Sequence, residues 1–406
     1  MIPRSRRLAV QVGMLSLMGL LASCASHRYL GSQGHQSFER GDYAAAAATF
    51  AKEALKPGAN QILFLLDQGL ANFYNRDFEK AISVFLKAAD LVEIKDFTSI
   101  SEEVGTLATS DNVRAYKGED FEKVLIHFYL ALAFAALDQT ESAQVEARRI
   151  NQLLYRMIHE GKRNYQESPA ARYLSAMLWE QSRDWNSAYV DYKKTFELEP
   201  KFPGLGEDLM AMANRLGFRD EEQKWRQEFP GVSPRRLPKG FGELVLLVES
   251  GRSPVKVPRD ENSSLPKFVR RWSAPVSGPL MINGVALPPP QLIMDIEDLS
   301  IRYLEDRMSR LAAAKLAGTA AKGALAYGLG KATKNEDLGW IAFAILSATD
   351  QADLRSWKSL PARMEMIRMP HPEGNVELVI PSSRGEIRIP NIVIKAQKKT
   401  FVPVRR

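Results

Sequence analysis

Six side chains between positions 116 and 149 are of types that could do acid–base or anion-binding chemistry: Tyr116, Glu122, His127, Glu146, Arg148 and Arg149. A carboxylate beside an imidazole can serve as an acid–base pair. Two adjacent arginines near a tyrosine can hold an anionic ligand, or a partner's carboxylate, through bidentate hydrogen bonds. Asp111 and Asn112 lie just upstream and complete the candidate binding set. Spacing argues against the acid–base reading. His127 follows Glu122 by five residues, so the two do not share a helical stripe of three- and four-residue neighbours. The competing expectation is that these charges pair with one another and pin a nearby loop. Other catalytic signatures are missing. There is no Gly-Lys-Ser/Thr phosphate loop, no dinucleotide fingerprint and no Gly-x-Ser-x-Gly elbow,. The histidines (His27, His35, His127, His159 and His371) are scattered, and one cysteine adds no zinc set,. No catalytic residue, cofactor or metal is expected.

The elements that must carry these residues repeat. Gly34, Tyr43, Ala46 and Phe50 recur as Gly69, Phe78, Ala81 and Phe85, each pair 35 residues apart. That is close to the tetratricopeptide period of about 34. The shared aromatic-x-x-Ala-x-x-x-aromatic pattern returns in Trp185-Ala188-Tyr192, and more weakly around Ala143. Two antiparallel helices per unit follow. Small residues let the helices approach, and aromatics seven apart share one face. Pro57-Gly58 and Pro200 end helices, because a proline pushes the residue before it out of helical geometry. Residues 31–229 are thus read as a repeat array, with Leu205 to Phe229 as a further helix or a degenerate closing repeat,. An insert at about 94–118, with Ser, Thr, Asp and Gly, interrupts it and is expected to include a loop,.

Composition changes after Phe229. Residues 230–242 read as a Pro/Gly linker and 243–406 as an α+β module. Glu243 to Glu249 reads as a buried strand. Residues 291–348 read as a helical insert. Its Ala/Gly-rich stretch Leu311 to Ala332 carries charges, and Trp340 to Ala348 falls well short of the about 20 apolar residues a membrane span needs. A packed pair of core helices is expected, with a surface-lying or partner-docking hairpin as the alternative. From Arg363 onward, period-two alternation marks antiparallel strands at Glu365–Arg368, Val376–Ile380, Glu386–Ile389, Ile392–Lys395 and Phe401–Arg405,. The expected fold class is a mainly α N-terminal half, a tetratricopeptide-like superhelix, followed by a smaller α+β module with C-terminal antiparallel strands.

The first residues read as an address. Arg4, Arg6 and Arg7 precede an apolar run from Leu8 to Ala22, the size of a signal-peptide core. The run ends in Leu21-Ala22-Ser23-Cys24, which resembles the lipobox of bacterial lipoprotein precursors, and Cys24 is the chain's single cysteine. The resemblance implies removal of residues 1–23, acylation of Cys24 and a lipidated tether over residues 24–30. With the non-acidic Ala25 next, it also implies sorting to the outer membrane, facing the periplasm. Acyl chains bury methylenes at about 0.8 kcal/mol each, so such an anchor is effectively permanent. Loss of the three arginines lowers the formal charge from +7 to +4. With no basic block, nucleic acid is not an expected partner. A mixed-charge surface is expected, with attraction to acidic polymers or lipid headgroups as the alternative.

Three further segments carry a resemblance. They are Asp111-Asn112-(x3)-Tyr116-x-Gly118-x-x-Phe121-Glu122-x-x-Leu125-x-His127-x-Tyr129-x-Ala131-Leu132 leading to Val145-Glu146-Ala147-Arg148-Arg149, then Glu249-x-Gly251-x-x-Pro254-x-Lys256, then Ala352-Asp353-Leu354-Arg355-Ser356-Trp357-x-Ser359-Leu360-Pro361. Together the chain resembles an uncharacterised family of proteobacterial lipoproteins with tetratricopeptide-type repeats. That resemblance implies a role in cell-envelope, including peptidoglycan, assembly. The expected function is a lipid-anchored scaffold or adaptor whose repeat groove binds an envelope protein. Two alternatives stand beside it: an accessory protein for glycan or exopolysaccharide binding or export, and an envelope enzyme with a site near Glu122 and His127.

Overall fold

The computed structural model describes residues 32–102, 115–160, 168–260, 263–274, 276–333, 335–348, 352–383 and 385–406. Cys24, the signal segment, Asp111 and Asn112 lie outside the described residues. Among the described residues, five helix pairs build the first half: α1 (Gln33–Glu39) with α2 (Tyr43–Ala54), α3 (Gln61–Tyr74) with α4 (Phe78–Glu102), α5 (Asp120–Ala136) with α6 (Thr140–Tyr155), α7 (Pro169–Gln181) with α8 (Trp185–Leu198), and α9 (Leu205–Leu216) with α10 (Arg219–Glu228). One turn device serves all five pairs. The residue two before each second helix is left-handed: Gly41, Arg76, Asp138, Arg183 and Gly217. Asp42 and Asp184 then cap α2 and α8 by accepting from Ala45 N and Ser187 N, both at 3.0 Å,. The first half is thus a tetratricopeptide-like array. Residues 94–102 of the expected insert are helical, since no proline or glycine interrupts Phe78 to Glu102,.

The repeated glycines have a shared physical cause. A Cβ on Gly34 would lie 2.4 Å from the Phe50 ring, and one on Gly69 would lie 2.4 Å from the Phe85 ring. Both rings are fully buried. Gly34→Ala and Gly69→Ala are each expected to cost about 1–3 kcal/mol by overpacking. Gly58→Ala, which meets nothing within 4 Å, should be neutral or slightly stabilising. Equilibrium unfolding in urea reads the contrast.

The second half is two stacked sheets. The first has the order β10 (Lys399–Arg405), β1 (Phe241–Ser250), β7 (Arg363–Pro372), β6 (Gln291–Asp295); the second has β5 (Val285–Ala286), β4 (Met281–Ile282), β8 (Gly374–Ser382), β9 (Gly385–Ile394). A hairpin of β2 (Val255–Pro258) and β3 (Pro266–Val269) stands apart. Three details differ from the sequence expectation. First, β1 pairs antiparallel with β7 but parallel with β10, and such a pair needs a long crossover, supplied by the chain between them. Second, Gln291–Asp295 is an edge strand rather than the start of a helix; Pro288 to Pro290 hold the approach extended,. Third, the runs Glu386–Ile389 and Ile392–Lys395 form one bent strand, with Asn391 left-handed where the register with β8 shifts,.

Alternation along β1 sorts its side chains to two cores. Leu244, Leu246 and Val248 pack against the second sheet with Ile367, Leu378, Ile380 and Val402. Val245 and Leu247 pack with Met366 and Phe401 into the core of the repeat helices. The layers are therefore helices, sheet, sheet, and β1 is buried on both faces. The face of the array formed by α3, α5 and α7 is covered by the chain's own sheet, so a partner segment expected in the repeat groove does not find that face open.

After β6 come α11 (Ile296–Asp306), α12 (Met308–Thr333) and α13 (Glu336–Ala348). Asp295 caps α11 by accepting from Asp298 N at 2.9 Å. Helices α12 and α13 pack on each other, with Gly339 so close to Ala326 that a Cβ would lie 2.9 Å from its carbonyl oxygen. They are not the core pair that was expected: most of α12 is open to solvent. Among the described residues no helix is long and apolar enough to cross a membrane.

Candidate functional site

The three resembling segments converge where the halves meet. Glu122, in the first turn of α5, is fully buried. Its carboxylate accepts from Tyr116 OH at 2.6 Å, from Glu119 N at 3.0 Å and from Trp357 N at 2.7 Å. Trp357 packs edge-on against Phe85 and Tyr129. Arg355 lies over the Tyr116 ring and donates to Ala59 O at 3.0 Å. Ser359 donates to Asp67 Oδ1 at 2.5 Å, and His35 Nε2 meets Asp67 Oδ2 at 2.8 Å. Glu119 takes Lys256 and Arg307. Burial pushes the Glu119 carboxyl up, but Arg307 and Lys256 outweigh it and hold it at about 2. Burial, joined by the charge on Glu119, pushes Glu122 to about 7,.

Two further clusters key the first sheet to the helices, one at each end of β1. At one end Glu249 accepts from Tyr74 OH and, at 2.9 Å, from Tyr129 OH. Arg405 donates to Tyr74 OH at 3.2 Å, Ser359 O at 2.8 Å and Gly251 O at 2.9 Å. Burial pushes the Glu249 carboxyl to about 7 despite these neighbours. At the other end Arg368, fully buried, donates to Glu243 at 2.7 Å, Asp208 at 2.9 Å, Glu180 at 2.8 Å and the Tyr173 hydroxyl at 2.9 Å. Lys399 bridges Glu180 at 3.0 Å and Glu243 at 2.8 Å, and Arg235 meets Asp208 at 2.6 Å. Burial raises the Glu243 carboxyl, but Arg368 and Lys399 win and hold it well below the usual range.

The remaining sequence candidates sit elsewhere. His127 does not meet Glu122. Its Nδ1 lies 2.7 Å from Glu146 on α6, whose other oxygen takes Arg149 at 2.9 Å. Arg148 stacks on Trp179 with its guanidinium carbon 5.1 Å from the ring centre. These four therefore form a bracket between neighbouring helices. The arginine beside Tyr116 is Arg355, not the Arg148–Arg149 pair.

An open basic cleft of about 840 Å³ lies between α1, the loops after β1 and β3, and the start of β7. Seven Lys and Arg side chains line it against three carboxylates. Arg271 and Arg405 are committed to backbone carbonyls. Arg252, Arg270 and Arg363 are not: each is about half exposed, and their ion pairs to Glu39, Asp298 and Asp295 are long, at 3.8, 4.0 and 3.6 Å. Arg406 Nε, buried on the wall, has no hydrogen-bond partner among the described residues. Burial first, and then Arg271 nearby, lowers the Lys358 ammonium,. Trp272 stands on the rim, 81% exposed. Such a cleft suits an anionic group beside a flat, weakly polar face. Sequence reasoning passed it over because its arginines come from four separate segments, at Arg252, Arg270 and Arg271, Arg363, and Arg405 and Arg406. Arg270-Arg271-Trp272 is the one local signal.

No protein-family model matches the chain, and no curated protein is significantly similar to it in sequence. Several solved structures align with about half of it. A crystal structure of MamA is 18% identical over 48% of this chain and 91% of that one, with a TM-score of 0.34. MamA from Desulfovibrio magneticus RS-1 is 14% identical over 50% and 91%, at 0.34. A tetratricopeptide repeat protein from Parabacteroides merdae is 15% identical over 50% and 64%, at 0.33. At these scores the likenesses bear on neither ligand nor partner.

Proposed function

We propose that the protein is a non-enzymatic scaffold of the cell envelope, held at a membrane by acyl chains on Cys24, that receives an anionic partner in the basic cleft. The observation that carries this reading is the sheet packed over α3, α5 and α7. With that face covered, the basic cleft is an open concave surface whose arginines are loosely paired. Tetratricopeptide-like architecture is consistent with binding rather than catalysis, and Glu122 is spent on holding the halves together. An acidic segment of an envelope protein is the occupant that three loosely paired arginines favour. An anionic glycan is the second reading, favoured by the exposed Trp272 ring.

The test is crosslinked capture from envelopes by the tagged full-length chain. The triple variant Arg252→Ala/Arg270→Ala/Arg363→Ala is expected to lose about tenfold or more of a defined partner, since charge-assisted hydrogen bonds contribute about 1.5–3 kcal/mol each. Arg148→Ala/Arg149→Ala should retain it. The reverse pattern sinks the cleft and restores the helical bracket. Glycan in the eluate, lost in Trp272→Ala, selects the second reading.

A further inference from the structure

A second cavity, of about 290 Å³, opens at the Glu243 end of β1, where the α7–α8 turn, the last turn of α9, the approach to β1 and the chain entering β10 meet. Among the described residues, six Lys and Arg side chains line it against two carboxylates, Glu180 and Glu243. Behind it the charges balance: Arg368, Lys399 and Arg235 stand against Glu180, Glu243 and Asp208. Glu207 is taken by Arg235 at 2.8 Å, and Lys398 by Asp138 at 3.2 Å. Arg183, Arg215 and Arg236 are left over. All three are exposed, and none makes an ion pair or a side-chain hydrogen bond among the described residues. Glu222, the carboxylate that feels Arg236, is itself paired with Arg226 at 2.6 Å. The Arg215 guanidinium carbon lies 4.5 Å from the centre of the Trp185 ring, a contact that positions the group and spends none of its N–H donors. Arg183 is the most telling of the three. Its backbone is left-handed, at the turn position where the first and last helix pairs have Gly41 and Gly217, and a side chain there is strained. The two other side chains at that position have partners in the protein: Arg76 lies over the Phe78 ring, and Asp138 takes Lys395 and Lys398. Arg183 has none and lines the cavity.

We propose that this cavity is a phosphate site, in which Arg183, Arg215 and Arg236 hold a phosphate group carried by a small molecule. Charge and valence select the ligand. Three guanidinium forks from three separate segments offer more donors than the two oxygens of a carboxylate can use. A phosphate monoester presents three terminal oxygens and close to two negative charges at neutral pH, and its geometry matches the guanidinium fork. The cavity is at the small end of ligand pockets, so it takes a phosphate with a small group attached. Trp185, Met212 and Leu237 supply an apolar wall for that group. The site shares no lining residue with the basic cleft, so it stands whether or not the cleft receives a partner.

The experiment is titration calorimetry of the full-length protein with inorganic phosphate, at low ionic strength so that the charges are not screened. A saturable site is expected. Arg183→Ala/Arg215→Ala/Arg236→Ala should weaken it about tenfold or more, whereas Arg252→Ala/Arg270→Ala/Arg363→Ala, in the cleft, should leave it in place. Acetate, with two oxygens and one charge, should bind about tenfold or more weakly than phosphate. Arg183→Gly separates binding from folding. It should weaken phosphate about threefold or more yet melt no lower than the wild type, because glycine accepts the left-handed turn without strain. Water-soluble dihexanoyl phosphatidic acid tells the source of the phosphate. Tighter binding than inorganic phosphate, lost in the pocket triple variant, assigns the group to a lipid headgroup; equal or weaker binding assigns it to a soluble phosphate compound. The proposal is overturned by the absence of a saturable site, by a site that survives in the pocket triple variant, or by acetate binding as tightly as phosphate. A site lost in the cleft variant instead would move phosphate to the cleft and leave this cavity without a ligand.

Discussion

Arg368→Ala is expected to cost about 3–5 kcal/mol of folding stability, the range for removing one partner of a buried charge cluster. The guanidinium is 2% exposed and serves Glu243, Asp208 and Glu180 together. Without it those carboxylates stay in the interior with Lys399 and Arg235 alone. The loss is the penalty of stranded charge, more than the value of the bonds themselves. Arg148→Ala, which removes only an exposed stacking contact with Trp179, should cost about 0.5–1 kcal/mol. Urea unfolding of the two variants side by side reads the difference. A cost below about 1 kcal/mol for Arg368→Ala would mean that the cluster does not hold the sheet to the helices.

Stability is expected to fall as pH rises from about 4.5 to about 7, opposite to the trend set by ordinary ion-paired carboxylates. Glu122 and Glu249 both move from 4.5 to about 7 on folding. A carboxyl whose folded value is raised keeps its proton on folding. Its contribution is complete below about 4.5 and gone above about 7,. Each such rise corresponds to roughly 3 kcal/mol at most. Glu119, held at about 2 by Arg307 and Lys256, works the other way and loses its contribution only as pH falls from about 4.5 through about 2,. Maximum stability should therefore lie near mildly acidic pH. Glu249→Gln is the informative variant. Its amide oxygen can still accept from Tyr74 and Tyr129, and its Oε1 has no hydrogen-bond partner to lose among the described residues. It should melt higher than wild type at pH 8 and show a shallower slope between pH 5 and 8. An unchanged slope would place the titration elsewhere.

Much of the helical half is legible in the sequence because its determinants are local. Gly34 with Phe50 and Gly69 with Phe85 are contacts within a single repeat unit, so their spacing survives as a pattern. The strand β1 is legible as an unbroken apolar run because it is covered on both faces. What alternation could not show is what covers it. Arg368 and Lys399 read as ordinary solvent-facing charges on C-terminal strands, and Glu243 and Glu249 as polar strand ends. Arg368, Lys399 and Glu249 are buried because helices more than a hundred residues away in sequence carry their partners, Tyr74, Tyr129, Glu180 and Asp208, and Glu243 because Arg368 and Lys399 reach it from distant strands. The segments around Glu122, Lys256 and Trp357 stand out one by one, but that they meet at a single carboxylate is a property of topology. The same holds for Arg252, Arg270 and Arg363, each unremarkable in its own segment and a basic cleft only when assembled.

The most direct test is segment-resolved hydrogen exchange of the wild type and Arg368→Ala. If the sheet is an integral filling of the repeat array, α3, α5 and α7 should exchange through the same global opening as β1, β7 and β10, and the substitution should accelerate all six together. If the helices keep their wild-type protection while the strands alone speed up, the sheet is a detachable guest and the repeat groove is again available to a partner.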